Sequence, residues 1–420
     1  MSGLIFIRKI LTCFFCLFVI SLVPSLGSAQ TIGDEYPQWQ PGVLEIHQIS
    51  TGKGDAAFFI FPDGTTMLVD AGATASEKPR VTSVKPNASH TPGQWIARYI
   101  RHMLAFKKKI ELDYFVLTHF HGDHLGDITK DSKMSGNGAY KLSGITEVGD
   151  LIPIHKVLDR GWPDYNYPRP IENDMVNNYR SFLKWQMENN GMQVERFKPG
   201  RNDQIVLLNE REKYPDFEVR NVAANGEVWT GVANNTRHNF PPLENVRPED
   251  YPNENICSCA IRLSYGKFDY FTGGDLQGFP FAGCPAWHDV ETPIAKAIGP
   301  VEVNVLNHHG CPYSENDFFL STLRPRVHIF SVWSPLHPGV RVLDRLLSTR
   351  LYPGPRDIFA TGLMEATRIV IGRYIEKLKS NRGHIVVRVD PGGDQYKVFV
   401  LDDSAETYKI TGIFGPYTSN

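Results

Sequence analysis

The order of apolar and polar positions predicts a chain in which strands alternate with helices. Short apolar runs bounded by Gly, Pro, Asn or Asp are typical of buried strands. They predict strands at residues 43–47, 57–61, 66–70, 112–117, 217–223, 259–263, 268–271, 301–306, 327–332, 385–389 and 396–400. Wider apolar spacing predicts helices over residues 94–107, 173–189 and 340–347. Hairpins near each end, with mixed elements between them, indicate an α/β sandwich of sheets covered by helices.

The middle of the chain is less regular. Residues 128–250 are rich in Asn, Pro, Gly, Tyr and Arg, and the pattern predicts few elements there. A disordered linker is disfavoured because large aromatic side chains recur in the segment. These aromatics include Trp162, Tyr165, Tyr167 and Trp185. We interpret the segment as an insertion over the functional site, within one domain that spans residues 30–420.

The first 29 residues have the order of a secretory signal. Arg8 and Lys9 precede an apolar core at residues 11–23, and small residues lead up to Ala29. An apolar core this short favours a signal peptide over residues 1–29, cleaved after Ala29, and an uncleaved anchor is the alternative. We therefore expect an exported protein, periplasmic or secreted, with no stable membrane insertion after cleavage.

Composition narrows the function only slightly. The formal net charge is −2, so there is no overall basic excess of the kind that marks nucleic-acid surfaces, although a local patch is compatible with it. Export favours disulfides, but buried thiols are an equal alternative. The cysteines that remain beyond the signal are Cys257, Cys259, Cys284 and Cys311.

The strongest chemical signal follows the predicted strand at residues 112–117. It is His119-x-His121-x-Asp123-His124, which places four metal-ligand side chains within six positions. A short loop after a strand can direct several side chains to one side. Imidazole nitrogen and carboxylate oxygen are ligands for Zn²⁺ and similar divalent ions. The spacing therefore predicts a metal-binding loop.

This H-x-H-x-D-H motif resembles that of the metallo-β-lactamase superfamily, and the resemblance covers nearly all of the mature chain. Further segments are similar to the subgroup found in DNA-uptake competence proteins. They are residues 46–56, 61–64, 69–72, Asn255-x-x-Ser258, 272–275, 308–310 and His337-Pro338. The resemblance implies a four-layer αβ/βα sandwich with a dinuclear site along one sheet edge. The segment 128–250 has no counterpart in that pattern.

The resemblance also implies a ligand set for two ions, with Zn²⁺ expected and Mn²⁺ as an alternative. The implied ligands are His119 and His121 for the first ion, Asp123 and His124 for the second, Asp275 as the bridge, and His309 as the last ligand of the second ion. His308 would then face the substrate, although the two neighbouring histidines could exchange roles. Asp70 would support the ligand loop by hydrogen bonding, or would only close a strand-end turn.

One ligand position departs from the family pattern. Many members carry a third imidazole on the first ion where this chain has Asn255. An amide oxygen is a poorer Zn²⁺ ligand, which implies weak binding, more water ligands or a preference for Mn²⁺. His155 or His238, from the segment 128–250, could substitute.

These residues predict hydrolysis by metal-activated water. Asp275 or Asp123 would accept a proton, and His308 or His337 would stabilise developing negative charge, although His337 could equally be an exposed loop residue. The competence-type segments favour a phosphodiester or phosphoester, small or polymeric, with nucleic acid among the candidates. A lactone, lactam or amide hydrolase and a non-catalytic metal-retaining binding module are the alternatives. Asp55, after Gly-Lys-Gly, is interpreted as part of a hairpin turn, because the phosphate-loop pattern is incomplete.

Overall fold

Two large mixed sheets carry the fold. The computed structural model describes residues 30–78, 80–280 and 283–420, so the predicted signal peptide lies outside the described residues. Within the described part, each sheet has nine strands. In chain order the strands are β1 (Leu44–Gln48), β2 (Ala57–Ile60), β3 (Thr66–Val69), β4 (Leu112–Leu117), β5 (Ile154–Asp159), β6 (Gln193–Arg196), β7 (Phe217–Ala224), β8 (Glu227–Trp229), β9 (Thr236–His238), β10 (Ala260–Tyr265), β11 (Phe268–Thr272), β12 (Val303–Val305), β13 (Val327–Phe330), β14 (Asp357–Ala360), β15 (Leu378–Asn381), β16 (His384–Val389), β17 (Gln395–Leu401) and β18 (Ile410–Thr418).

The helices pack on the outer faces of these sheets. They are α1 (Pro92–Met103), α2 (Gly144–Leu151), α3 (Asp174–Asn190), α4 (Glu291–Ile298), α5 (Asp317–Leu323), α6 (Val340–Leu346) and α7 (Glu365–Ile371). Both α1 and α3 begin with a side-chain cap, since Thr91 accepts from the Gln94 amide and Asn173 accepts from the Val176 amide.

Strand directions bring several loops to one edge of each sheet. The first sheet has the order β18-β17-β16-β1-β2-β3-β4-β5-β6, and β3 to β6 are parallel. Because β2 is antiparallel to both β1 and β3, the loops after β1, β3 and β4 reach the same edge. In the second sheet β11 to β15 are parallel, so the loops after β11, β12 and β13 also share an edge.

Alternating side chains on the strands form separate cores. In β2, Phe58 packs with the core under α1, α2 and α3, while Phe59 packs with the core between the two sheets. The outer face of the second sheet packs on α4 to α7 through two further clusters, which contain Phe271 and Phe330. Complete burial of one such side chain contributes about 1.5–3 kcal/mol. The helices and sheets therefore stack in layers.

The mixed α/β class predicted from the sequence is confirmed. The predicted helix at 173–189 is α3, but residues 128–250 are more regular than their pattern indicated. They also supply α2 and the strands β5 to β9, which lie at the edges of both sheets. Cysteines 257, 259, 284 and 311 are free thiols. None of the helices in the described ranges has the length and hydropathy needed to cross a bilayer.

Candidate metal centre

The loop after β4 is held from both sides of its backbone. The Thr118 amide donates to Asp70 Oδ1 (2.8 Å), and Thr118 O accepts from the Cys259 amide (2.9 Å), which ties the two sheets together. A single π-helical turn then spans Gly122–Gly126. A Cβ atom on Gly122 would lie 2.0 Å from Asp127 Oδ1, so any larger residue there would displace the Asp127 side chain. This turn directs Asp123 and His124 into the same interior space.

An ion pair between Arg160, in the segment 128–250, and Glu254, just after it, supports the same loop. Glu254 Oε1 accepts from the Phe120 amide and from Arg160 Nε, both at 2.8 Å, and the second guanidinium nitrogen also pairs with that carboxylate. Arg160 follows β5, and its side chain is almost fully buried. The pair fixes the backbone between His119 and His121.

Three ligand-type side chains form a first group. His119 Nε2 lies 3.0 Å from His121 Nδ1 and 3.7 Å from Asp275 Oδ2. The ligand atoms of these residues all lie within 4.8 Å of one another. Asp275 follows β11, and its own amide donates to Ser258 Oγ (3.2 Å). The group therefore joins loops from both sheets.

A second group shares Asp275 with the first. His124 Nε2 lies 3.1 Å from Asp275 Oδ1, and His309 Nε2 lies 3.4 Å from the same oxygen. Asp55 Oδ2 is 3.4 Å from His309 Nδ1 and completes this group of four. Asp123 Oδ2 also reaches it, at 3.0 Å from His309 Nε2 and 3.6 Å from His124 Nε2. Asp275 is thus the carboxylate common to two ligand groups.

Several atoms of this cluster are buried without a hydrogen bond. They are His124 Nε2, Asp275 Oδ1 and His309 Nδ1, for which the described residues provide no partner of suitable geometry. Buried polar atoms are nearly always hydrogen-bonded or bound to an ion, and imidazole and carboxylate are the donors that divalent cations take. These buried His and Asp groups could therefore hold a metal ion, and the residues present fit one.

The pKa shifts of the clustered side chains also favour a bound cation. Burial works to raise the pKa of Asp275, yet the imidazoles of His124 and His309 hold that pKa well below its ordinary value. Burial alone would lower the pKa of His309, but the carboxylates of Asp275 and Asp55 outweigh it and raise that pKa to about 9. The carboxylates therefore favour positive charge at this position, which a protonated imidazole or a bound cation can supply.

Asp70 orients one candidate ligand. It is buried, has a left-handed backbone (φ 58°), and its Oδ2 lies 2.7 Å from His124 Nδ1. The same oxygen accepts from Thr118 Oγ1 (2.7 Å). A carboxylate on Nδ1 holds the proton there and leaves the Nε2 lone pair directed at Asp275. The supporting position that the resemblance implied for Asp70 matches this geometry, whereas a simple turn would not need both contacts.

The turn after β12 presents two histidines to the cluster. His308 and His309 both have left-handed backbones, at φ 51° and 54°. His309 lies in the four-residue group, whereas His308 is 3.6 Å from Asp275 Oδ2 and its side chain is 18% exposed. The geometry therefore favours His309 over His308 as the deeper ligand. His337 stacks on His309 with ring centres 4.5 Å apart and is buried, so the exposed-loop interpretation of His337 is wrong.

Of the three remaining candidate ligands, one lies at the cluster and two do not. Asn255 belongs to the cluster, since its Nδ2 lies 3.4 Å from His308 Nε2 and its Oδ1 is buried without a partner. His155 is half-exposed and lies 3.3 Å from Glu111 Oε2, and His238 is exposed in β9. No described contact brings either histidine to the cluster, so the structure does not support them as substitutes for the missing imidazole.

Two residues of the site were missed by the sequence reasoning. Asp55 does lie in the turn between β1 and β2, but its carboxylate faces His309. Trp333 follows β13, and its indole N–H donates to His309 Nε2 (3.2 Å). The signal that could have found them is their position after strands that end at the site edge.

No protein-family model and no curated protein sequence matches the chain. Its fold and site define the class to which it can be assigned: a mixed α/β sandwich with a buried His/Asp cluster able to hold a metal ion.

Proposed function

We propose that the chain is a metal-dependent hydrolase of the metallo-β-lactamase type, with the four-layer αβ/βα arrangement of that superfamily. The observation that carries the proposal is Asp275, whose two carboxylate oxygens face two separate groups of imidazoles. A purely structural buried carboxylate would instead be satisfied by backbone or side-chain N–H groups. The protein is exported in this proposal, in keeping with the sequence of residues 1–29.

In this proposal the ligand side chains divide between two ions. His119, His121 and Asp275 would hold one, and Asp123, His124, His309 and Asp275 the other, with Zn²⁺ preferred for its affinity for imidazole and Mn²⁺ as the alternative. When bound, such a pair would supply Lewis-acid polarisation and would lower the pKa of a water towards neutrality. Because Asn255 stands in place of a third imidazole, the site binds the first ion more weakly.

The protein's own groups supply the rest of the chemistry. Asp123 and Asp275 lie where a proton leaving the attacking water could be accepted. His308, the partly exposed histidine beside Asp275 Oδ2, is placed to donate to an oxygen that gains negative charge. His337, stacked behind His309, orients that ring, which differs from the direct substrate contact expected of it from sequence.

A phosphodiester or phosphoester is the proposed substrate, small or polymeric, with nucleic acid included. Support for it comes from the competence-type segments, several of which are at the site. Glycine 54 and Gly72 approach Asp123 so closely that a Cβ atom on either would lie within 2.2 Å of Asp123 O. Asp275, His309 and His337 belong to the same set of segments.

The test is turnover by the purified mature protein after elemental analysis. Bis-p-nitrophenyl phosphate and a chromogenic β-lactam are compared, each with added Zn²⁺, with added Mn²⁺ and after chelation. Metal-dependent hydrolysis of the diester, with near-stoichiometric metal, is the expected result. Turnover of the lactam alone would show that the substrate is a lactam rather than a phosphoester. Bound metal without turnover of any ester, lactone or amide in a broader panel would indicate a non-catalytic binding module.

A further inference from the structure

A cavity of about 440 Å³ adjoins the metal loop. We name it the side cavity; its wall includes Lys53, Thr74, Asp127 and Ser143, together with Thr91 at the start of α1. The volume is within the range of small-molecule binding pockets. It is a different space from that of the metal ligands, because no ligand candidate lines it.

The wall nearest the metal loop carries a lysine that contacts no acidic group. Lys53 is only 3% exposed as a residue, and within the described residues its ammonium forms no hydrogen bond or ion pair. The carboxylate that attracts it by charge, Glu77, is exposed at the rim. Beside it, the Thr74 amide donates to Lys53 O (2.8 Å), and Thr74 Oγ1 is buried without a hydrogen bond. A charge in so enclosed a position is costly unless it is paired, and no carboxylate of the wall contacts the Lys53 ammonium, so a bound anion could pair with it there.

The acidic groups of the side cavity do not fill that position. Asp127 Oδ2 is engaged by Lys78 Nζ (2.6 Å) and by the Ala75 amide (2.8 Å). Glu147 accepts from Thr91 Oγ1 (2.5 Å). The other two acids of the lining, Glu77 and Asp131, are exposed at the rim. Among the deeply buried polar groups of the wall, Lys53 and Thr74 are the pair left unmatched.

Backbone hydrogen bonds join this wall directly to the metal loop. The Asp55 amide donates to Asp123 O (2.8 Å), the Ala73 amide to Gly122 O (3.0 Å), and the Asp127 amide to Ala73 O (3.1 Å). A group bound at Lys53 is therefore held in a fixed relation to the ligands, which is the arrangement that orients a substrate.

We propose that Lys53 and Thr74 bind an oxyanion of the substrate, a phosphate or a carboxylate, that is separate from the ester being cleaved. Lys53 supplies the positive charge and Thr74 donates its hydroxyl hydrogen. This inference rests on the proposed function and narrows its substrate class to esters that carry a second acidic group. Lys53 is then a specificity residue and takes no part in the bond cleavage.

Three p-nitrophenyl esters of thymidine 5′-phosphate test this: one with a free 3′-hydroxyl, one with a 3′-phosphate and one with a 3′-succinyl group. The metal-loaded wild-type protein is expected to show a KM lower by about tenfold or more for an acidic 3′-group, with kcat little changed. The 3′-phosphate and 3′-succinyl arms show whether phosphate, carboxylate or both are accepted.

The matched variants are Lys53→Met, Lys53→Arg and Lys130→Met. In Lys53→Met the KM advantage of the acidic substrates should disappear while kcat for the neutral substrate is retained, and Lys53→Arg should restore part of it. Lys130→Met removes an exposed lysine outside the wall and should change nothing. An equal advantage in wild type and Lys53→Met would overturn the proposal.

Binding without turnover separates this inference from the proposed function. Calorimetry with thymidine 3′-phosphate and with thymidine compares wild type and Lys53→Met, both metal-loaded, so that any metal contribution is common to both. Preferential binding of the phosphate that is lost only in Lys53→Met supports the side cavity even if no ester is hydrolysed. Equal binding by the two proteins contradicts it.

Discussion

Two buried clusters of carboxylates lie on either side of the His308–His309 turn, and they differ in what surrounds their oxygens. The metal-centre carboxylates, Asp123 and Asp275, face imidazoles. Behind the turn, Glu291 and Glu315 are also completely buried but face amides. Both clusters are acidic and buried, so burial and charge alone do not distinguish them.

The two carboxylate clusters differ in the hydrogen bonds that their oxygens accept. Glu291 Oε1 accepts from Asn307 Nδ2 (2.9 Å) and the Glu315 amide (2.7 Å), and its Oε2 accepts from the Asn316 amide (2.7 Å). Glu315 accepts from the Asn307 amide (2.9 Å) and from Asn304 Nδ2 (3.0 Å). Every oxygen of this pair is occupied, whereas Asp275 Oδ1 has no hydrogen bond.

Unmatched lone pairs, rather than acidity, therefore mark a cation site. The Glu291–Glu315 pair has no ligand atoms to spare, and it holds the backbone and side chain of Asn307, which immediately precedes His308. One cluster is therefore suited to hold an ion and the other to position the turn that supplies a ligand. Four substitutions test this difference.

The largest effect is expected for Asp275→Asn. The variant replaces one of two anionic oxygens by an amide that cannot bridge, so both ligand groups lose their common member. Metal content and turnover should fall together, by more than the 10–100-fold that loss of an outer hydrogen-bond partner typically costs. Elemental analysis and diester turnover measure it.

The control for that variant is Asp394→Asn, which alters a carboxylate that is 75% exposed and should leave both readouts unchanged. Normal metal stoichiometry with full turnover in Asp275→Asn would remove Asp275 from the centre, and the contrast between the two clusters would have no functional meaning.

Asp70→Asn should produce the next largest effect. The amide can still accept from Thr118, but its NH₂ group would face His124 Nδ1 and favour the tautomer that protonates Nε2. Metal affinity should fall by about 10–100-fold while the thermal midpoint changes little. Competition with a chromogenic chelator measures the affinity, and unchanged affinity would show that Asp70 only closes the turn.

Asp55→Asn should have a smaller effect on the same quantity. Asp55 contacts His309 Nδ1 at 3.4 Å and also accepts from Gln48 Nε2 (3.1 Å), so the amide can keep one of two contacts. We expect a loss of about tenfold in affinity for one ion and none for the other. A two-step Co²⁺ titration followed by absorbance resolves the ions, and equal losses in both steps would contradict the assignment of Asp55 to the second group.

These sites differ in how far the sequence could predict them. His119 to His124 needed only the spacing within one loop. Asp275 and His309 were identified because each follows a predicted strand and matches the order of a known family. Asp55 was missed because its relevance depends on β1 running in the same direction as β3 and β4, and strand pairing is not visible in local patterns.

Several short helices and strands were not predicted from the sequence, for a similar reason. Helices α4 and α5 have eight and seven residues, too few for a helical period to stand out, and β8 and β9 have three residues each. In α5 the buried residues Phe319, Leu320 and Leu323 fit one helical face, but the run is short enough to suit a strand. Tertiary packing, rather than local pattern, decides such segments.

The smallest effect concerns the second cluster and depends on pH. Burial raises the pKa of Glu291 to about 7, from a value near 4.5 in an unfolded chain, and burial and Glu291 also raise that of Glu315. The folded state therefore keeps a proton that the unfolded state releases. The pair's contribution to stability is fully present below about pH 4.5 and is lost as pH rises towards 7.

Glu315→Gln removes one of the two charges and lets Asn304, whose Oδ1 has no partner, accept from the new amide. Denaturation by urea at pH 5 and pH 8 should show a loss smaller by about 1 kcal/mol in this variant than in wild type, with metal content unchanged. An identical pH dependence in both proteins would show that the pair is ionised throughout and that its N–H donors fully compensate its charge.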